Sequence, residues 1–179
     1  MSRKWSDRSL ASLEGIHPDL RRVMDLALQS SPLDFIVIEG RRTEARQKQL
    51  VASGASHTMN SRHLTGHAVD LLPIGPDGKS AFDWPLYHRL APAVKQAATD
   101  LGVKIVWGGD WKSFKDGPHF ELDRTVYPAG QAFPVASKPV ADSPDPVVNP
   151  PTWTLPYGNP IIDSIMNAIA AVARIFGGK

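Results

Sequence analysis

The chain has 179 residues, of which 42% are hydrophobic and 21% are charged, and its formal net charge is +2. This composition is that of a globular protein with an apolar core, and the basic runs interleaved with aromatic residues that are typical of nucleic-acid binding are absent. There is no cysteine, which excludes disulfides and thiolate metal sites, so that any bound metal must be held by histidine and carboxylate.

The first 127 residues contain a mixture of helical and strand patterns. Apolar residues at helical spacing predict three helices, over residues 18–30, 43–52 and 83–101. Pro18 and Thr43 suit helix N-termini, and Gly102 suits a helix C-terminus. Short apolar runs predict four strands, over residues 35–38, 68–72, 103–107 and 119–122, and Pro73 is expected to end the second of them. Since strands and helices do not alternate regularly, the pattern favours an α+β fold with an antiparallel sheet flanked by helices.

The composition changes near residue 127. Nine of the 16 prolines lie between Pro128 and Pro160, so this segment is predicted to be an extended linker. Residues 161–176 are apolar at helical spacing and precede two glycines, which predicts an amphipathic helix too short to span a membrane. We therefore expect a globular domain over 1–127, a proline-rich linker over 128–160 and an amphipathic tail over 161–179. The tail would lie on a lipid surface, pack back on the domain or pair with another chain.

Two short segments contain residues suited to metal-dependent hydrolysis. Residues 61–70 include His63 and Asp70, and residues 116–121 include His119, with Asp116 three positions before it. Two imidazoles and one carboxylate form a three-ligand set of the kind that holds catalytic zinc, with one position left for water. A further carboxylate beside that water could accept its proton. Asp70 and His119 are placed on predicted strands and His63 in the loop before one, so a rigid sheet could hold them around one ion.

Other polar residues have simpler interpretations. His63 and His67 are four residues apart, as in helical zinc motifs, but Gly66 lies between them and the glutamate of such motifs is missing. Asp110 follows two glycines and is interpreted as a turn residue. Surface or capping roles are expected for His17, His57 and His88. A solvated helix face is the simplest interpretation of Arg41, Arg42, Arg46 and Lys48.

The motif Ser61-x-His63-x-x-Gly66-x-Ala68-x-Asp70, followed by Asp116-x-x-His119, resembles that of a family of zinc peptidases. The family includes D-Ala-D-Ala carboxypeptidases, and the chain is more similar to its L-alanyl-D-glutamate peptidases from phage endolysins. The similar stretches occur in the same order, at residues 17–20, 39–43, 54–73 and 107–121, so that the resemblance covers roughly residues 5–127. It implies the Hedgehog/DD-peptidase-like zinc peptidase fold for that part of the chain.

The resemblance also implies roles for the motif residues. His63, Asp70 and His119 would hold one zinc ion per chain. Asp116 would act as the general base toward water and would then pass the proton to the leaving amine. The Asp-Gly-Pro-His order at residues 116–119, in place of a glutamate before Trp-His, favours the endopeptidase branch of the family over the D-Ala-D-Ala branch.

Substrate-binding roles are implied for three further residues. Arg42 would hold the substrate carbonyl and its oxyanion, but Arg41 stands where tyrosine is usual, which leaves open which arginine faces the site. Ser56 and Ser61 would donate hydrogen bonds to substrate or to groups around the metal. His67 matches a variable position, and no role is transferred to it.

The function that the resemblance implies is that of a peptidoglycan-degrading endolysin, a zinc metallopeptidase cutting the L-Ala–D-Glu bond of the stem peptide. The alternatives are a D-Ala-D-Ala carboxypeptidase of the same fold and a zinc-dependent binding module without turnover. The expected partners are bacterial peptidoglycan and, through the tail, a membrane surface, with no nucleic acid and a monomeric chain. The basic residues 1–8 are not followed by the apolar run of a signal peptide, so we expect synthesis in the host bacterial cytoplasm and action in the periplasm or cell wall after release.

Overall fold

A computed structural model of the chain describes residues 2–129 and residue 133. The chain divides into two compact units, one made of Met1–Arg42 and Arg62–Lys138 and the other of Thr43–Ser61 and Pro139–Lys179. Most of the predicted linker and all of the predicted tail helix lie outside the described residues. In the part of the chain that is described, no helix has both the length and the apolar character needed to cross a membrane.

The helices and strands follow the predicted order. They are α1 (Asp7–Ser12), α2 (Pro18–Ser30), β1 (Phe35–Glu39), α3 (Glu44–Ala52), β2 (Ala68–Pro73), α4 (Trp84–Asp100), β3 (Ile105–Trp107), a 3-10 turn (Gly108–Asp110) and β4 (His119–Leu122). Helix α3 belongs to the second unit, and all the other elements belong to the first. The three predicted helices and four predicted strands are confirmed. Helix α1 was not predicted, because six residues are too few to show a helical period.

The four strands form one antiparallel sheet in the order β1-β2-β4-β3, which confirms the predicted α+β class. Side chains alternate between the two faces of each strand. On one face Val69, Leu71, Phe120 and Leu122 are completely buried in the apolar core that α2 and α4 complete. On the other face the register places Asp70 opposite His119 and Ala68 opposite Glu121. The sheet therefore separates the core from a polar face that carries two of the candidate ligands.

Hydrogen bonds at the helix ends explain where α2 and α3 begin. The His17 imidazole accepts a hydrogen bond from the backbone N–H of Asp19 at 3.1 Å and caps α2, which confirms the capping role expected for this histidine. The Thr43 hydroxyl accepts one from the backbone N–H of Arg46 at 3.2 Å, which confirms Thr43 as the N-cap of α3. Each cap satisfies an N–H group that the first turn of a helix leaves unpaired.

Two predicted strand boundaries were wrong, one for a local reason and one because of pairing between strands. Strand β3 begins at Ile105 and not at Val103, because the backbone N–H of Val103 still bonds to Ala98 at the end of α4, where Gly102 has a φ of +67°. This is the hydrogen-bond pattern of a glycine-terminated helix. Strand β2 includes Pro73, which we expected to end it. Pro73 is tolerated because β4 pairs only with residues 68–70, so that no strand on that side requires its N–H.

Candidate metal centre

His63, Asp70 and His119 form a compact group of potential metal ligands. Nε2 of His63 lies 3.3 Å from Oδ1 of Asp70 and 3.3 Å from Nδ1 of His119, and the same Asp70 oxygen lies 3.2 Å from Nδ1 of His119. The three atoms thus form a nearly equilateral triangle. The two imidazoles are buried, and the side chain of Asp70 is 17% exposed. This arrangement is compatible with a single metal ion.

The sheet and one tight loop bring these residues together. Asp70 and His119 face each other on neighbouring strands, while His63 lies in the loop of residues 62–67 just before β2. The loop is closed by a hydrogen bond from the N–H of His67 to the carbonyl of Arg62 and one from the N–H of Gly66 to the carbonyl of His63. Gly66 has a φ of +69°, and a Cβ there would lie 2.4 Å from the carbonyl oxygen of Gly15, so only glycine fits this position.

The second nitrogen of each imidazole is held by a hydrogen-bond acceptor. Nδ1 of His63 lies 2.7 Å from the carbonyl oxygen of Gly40, and Nε2 of His119 lies 3.0 Å from a carboxylate oxygen of Glu121. Both acceptors favour the tautomer whose N–H points away from the triangle. The lone pairs of Nε2 of His63 and Nδ1 of His119 are therefore directed toward the position that a metal would take. Such partners orient the imidazoles of metal sites and fix their tautomers.

Glu121 is a residue of the site that sequence reasoning missed. It is buried, and Arg124 binds it with two hydrogen bonds, from Nε at 2.7 Å and from one terminal nitrogen at 3.1 Å. The signal was present in the sequence, because residues two apart on a strand share a face. A charged residue two positions after His119 on a short buried strand must therefore lie on the same side as the candidate ligand.

The electrostatics of the group favour a bound cation. Burial lowers the pKa of His119, but hydrogen bonds to Asp70 and Glu121 outweigh burial and raise this pKa to about 10. Burial raises the pKa of Asp70, yet the charges and hydrogen bonds of His63 and His119 bring it well below its ordinary value. The carboxylates thus stabilise a positive charge between them. A proton on His119 supplies that charge in the absence of metal, and a metal cation would replace it.

The Asp116 carboxyl lies near the group without being one of the three clustered ligands. Burial, followed by the charge of Asp70, raises the pKa of Asp116 to about 6, while the charges of His119 and His63 act in the opposite direction. Its backbone N–H bonds to the carbonyl of Gly108 at 3.1 Å. A Cβ on Gly108 would lie 2.9 Å from the Cβ of Asp116 and 3.2 Å from that of His119, so a glycine at this position allows the close approach.

Of the two neighbouring arginines, Arg42 is the one directed at the group. Its side chain is 8% exposed and forms an ion pair with Glu39, and one guanidinium nitrogen lies 3.7 Å from Oδ2 of Asp70. Its backbone N–H donates to the carbonyl of His63 at 3.0 Å. Arg41 is exposed and packs beside Gly15. The solvated helix face considered for these arginines is therefore wrong for Arg42.

Ser56 and Ser61 belong to the second unit, and their predicted contacts with substrate remain predictions. In that unit the amide nitrogen of Gln47 donates to the hydroxyl of Ser56 at 2.8 Å and to the carbonyl of Thr58 at 2.6 Å. Gln47 is completely buried, so its amide holds the loop that carries Ser56 against α3.

The remaining histidines lie outside the ligand group. His67 is buried, and its ring packs at 5.2 Å from that of His17 and at 5.3 Å from that of Phe133. His57 and His88 are exposed. Asp110 ends the 3-10 turn, as expected of a turn residue, and forms an ion pair with Lys95.

Comparison with known proteins gives consistent matches. The model of the family described as phage L-alanyl-D-glutamate peptidase matches residues 1–132. The L-alanyl-D-glutamate peptidase of Escherichia phage T5 is 35% identical over 136 residues, which are 73% of this chain and 96% of that protein. The L-alanyl-D-glutamate peptidase of Listeria phage A118 is 32% identical over 152 residues, and the match spans 80% of this chain and 52% of that protein.

A solved structure is also similar. The crystal structure of the Serratia marcescens L-Ala D-Glu endopeptidase ChiX matches with a TM-score of 0.66 and 48% sequence identity. The match covers 72% of this chain and 96% of that chain. The similarity therefore concerns nearly the whole of the Serratia protein and leaves about a quarter of this chain without a counterpart in it.

Proposed function

Because this chain belongs to the family of phage L-alanyl-D-glutamate peptidases, we propose that it is a zinc-dependent endopeptidase of bacterial peptidoglycan. It cuts the bond between L-alanine and D-glutamate in the stem peptide. The observation that carries the proposal is the buried triangle of His63, Asp70 and His119, with the Asp116 carboxyl beside it.

The donor set supports zinc as the metal. Two histidine nitrogens and one carboxylate oxygen are typical ligands of catalytic zinc, which binds them at about 2.0–2.2 Å. Tetrahedral angles at such bond lengths separate the ligand atoms by about 3.3–3.6 Å. The separations of 3.2 and 3.3 Å among the three atoms agree with this spacing. With three protein ligands, one position is left for water or substrate.

We assign the proton transfers to Asp116. A zinc ion in the triangle would act as a Lewis acid toward water and toward the scissile carbonyl. The Asp116 carboxylate accepts the proton of the attacking water and then delivers it to the amine of the D-glutamate leaving group. Burial raises the pKa of Asp116 to about 6 in the metal-free protein, and this burial favours uptake of a proton by the carboxylate during the reaction.

We assign to Arg42 the stabilisation of the negative charge that develops on the carbonyl oxygen. Its guanidinium is positioned by Glu39 and lies beside Asp70, so that it is held at the site before substrate arrives. A fixed donor in a site with little water stabilises a developing oxyanion without reorganisation. Ser56 and Ser61 are proposed to contribute hydrogen bonds to the substrate.

Digestion of purified peptidoglycan, followed by mass spectrometry of the fragments, tests the proposal. We expect new L-alanine carboxyl termini and new D-glutamate amino termini, and both should form about 10²–10⁴-fold more slowly with Asp116→Asn. Release of D-alanine alone would instead identify a carboxypeptidase. Zinc and peptidoglycan binding without any cleavage would identify a binding module.

The tail and the cellular context belong to the same proposal. We propose that the chain is monomeric, is made in the host cytoplasm, acts on the wall after release, and uses the amphipathic segment 161–179 to reach a membrane surface. A chain that ends after Phe133 should then cut purified peptidoglycan at the wild-type rate but should bind anionic liposomes less. Unchanged liposome binding would exclude the membrane role.

A further inference from the structure

The chemistry of the proposed substrate raises a question of selectivity. A glutamate residue has two carboxyl groups, of which only one can continue the peptide chain. The other is present either as a free carboxylate or as an amide. It belongs to the leaving side of the scissile bond, the side to which Asp116 is proposed to deliver a proton. A cation beside Asp116 would distinguish the two forms.

The loop between β3 and β4 is closed against the candidate site. The carbonyl of Gly108 accepts hydrogen bonds from the backbone N–H groups of Trp111, at 3.2 Å, and Asp116, at 3.1 Å. The Trp111 ring lies 5.3 Å from the imidazole of His119. Both ends of the loop therefore lie at residues that carry the proposed chemistry, and we refer to residues 111–115 between them as the rim.

Lys115 is the cation of this rim that is held in place. It directly precedes Asp116, and its ammonium group donates to the carbonyl of Gly109 at 3.1 Å. A Cβ on Gly109 would lie 2.3 Å from the Trp107 ring, so the backbone that Lys115 contacts packs directly against that ring. The tethered ammonium has two further protons with which to bind an anion.

The charge of Lys115 is not neutralised by the loop. The other acidic residue of the loop, Asp110, forms an ion pair with Lys95 at 2.5 Å. Within residues 2–129 and 133, the structure gives Lys115 no carboxylate at ion-pair distance, and its side chain is exposed. Lys115 thus carries an uncompensated positive charge on the residue directly before the proposed general base.

We propose that Lys115 is a specificity-determining residue that binds the free carboxylate of the D-glutamate residue, and that the enzyme prefers stem peptides in which this group is not amidated. The inference rests on the proposed endopeptidase function. An exposed ion pair contributes about 0.2–1 kcal/mol, so the expected preference is up to about fivefold in kcat/KM. Because salt screens exposed charges, the preference should shrink as ionic strength rises.

Two soluble peptides test the inference. Both have the sequence L-alanine–D-glutamate–L-lysine, with the lysine joined to the γ-carboxyl of the glutamate. They differ only in the α-carboxyl of that glutamate, which is free in one peptide and amidated in the other. We expect wild type to cut the acid peptide about fivefold faster at low salt. Lys115→Gln, which keeps an N–H donor, should lose this preference through a higher KM for the acid peptide, and Lys115→Arg should restore it. Lys112→Gln removes the same charge from the same loop and should behave as wild type.

The outcomes separate the two proposals. If wild type cuts neither peptide between alanine and glutamate, the proposed function fails and the inference fails with it. If wild type cuts both at equal rates, or if Lys115→Gln keeps the preference, only the role of Lys115 is refuted. If Lys112→Gln loses the preference equally, the preference arises from attraction of the acid peptide by the overall positive charge of the loop. There is then no specific contact with Lys115, and the inference is wrong.

Discussion

Replacement of Glu121 by alanine is expected to weaken zinc binding without touching a proposed ligand. The Glu121 carboxylate accepts a hydrogen bond from Nε2 of His119 at 3.0 Å, and the two side chains are only 4% and 9% exposed. The substitution leaves that N–H buried without its acceptor, which costs about 1–3 kcal/mol. It also allows the imidazole to rotate or to change tautomer, which removes the Nδ1 lone pair from the site.

The free-energy cost of the Glu121→Ala substitution indicates how far the zinc affinity should fall. Since about 1.4 kcal/mol is a factor of ten, a cost of about 1–3 kcal/mol corresponds to roughly 5–150-fold. Glu121→Ala should therefore bind zinc roughly 10–100-fold more weakly, which is the usual effect of removing such a partner. Glu121→Gln keeps an acceptor but loses the charge, and roughly half of the effect is expected because charge-assisted bonds are about twice as strong as neutral ones. Arg124→Ala should have a smaller effect still, because it leaves the Glu121 acceptor in place.

Competition with a zinc chelator measures the zinc affinity of each variant. Thermal unfolding with excess chelator measures the stability of the metal-free protein, so that a loss of affinity can be distinguished from a loss of stability. Asp123→Asn is the matched control, because this nearby carboxylate is exposed and its side chain bonds only to Thr125 among the described residues. Wild-type zinc affinity in Glu121→Ala would show that His119 is oriented by other contacts, and the reasoning would be refuted.

Three further predictions concern the site and its surroundings. Removal of a ligand by His119→Ala should abolish zinc binding, while His67→Ala should retain it. The metal content after dialysis measures this, and an equal loss of zinc in both variants would contradict the ligand assignment. Asp116→Asn should keep zinc but lose about 10²–10⁴-fold in kcat, and loss of zinc instead would make Asp116 a ligand. Burial and the Arg62 charge lower the pKa of His67 below 6.5 in the folded protein. The neutral imidazole therefore contributes fully to the free energy of unfolding above pH 6.5, and this contribution is lost as the pH falls through the folded-state pKa. Urea unfolding should therefore show that the free energy of unfolding falls less between pH 7.5 and pH 5.5 in His67→Gln than in wild type. An equal fall in both proteins would refute the role of His67.

Several features of this protein follow from the sequence alone. The apolar spacing determines α2 and α4, and Thr43 and Gly102 mark helix ends because a hydroxyl and a missing Cβ satisfy helix termini locally. Successive side chains of β4 point to opposite faces of the sheet, so His119 and the core residue Phe120 lie on different faces whatever strand pairs with β4. These features depend on neighbours within a few residues, which is why the sequence predicts them.

The choice between the arginines depended on tertiary structure. Arg41 and Arg42 are adjacent and chemically identical. Hydrogen bonds join Gly40 and Arg42 to His63, and in this arrangement Arg42 lies beside Asp70 while Arg41 is exposed. The end of β2 differs from the prediction for the same kind of reason. The tolerance of Pro73 depends on where β4 stops pairing, at His119, which is 46 positions away along the chain.

The geometry of the metal group also depended on the fold. The sequence determined that His63, Asp70 and His119 are suitable ligand types, but Asp70 and His119 are 49 positions apart, and the sequence does not specify which of their atoms meet. The register of β2 against β4 decides that Asp70 faces His119, and the partners Gly40 and Glu121 decide which nitrogen of each imidazole is directed at the metal position. Ligand identity is a local property of a side chain, whereas distances and tautomers arise from contacts between segments that are distant in the chain.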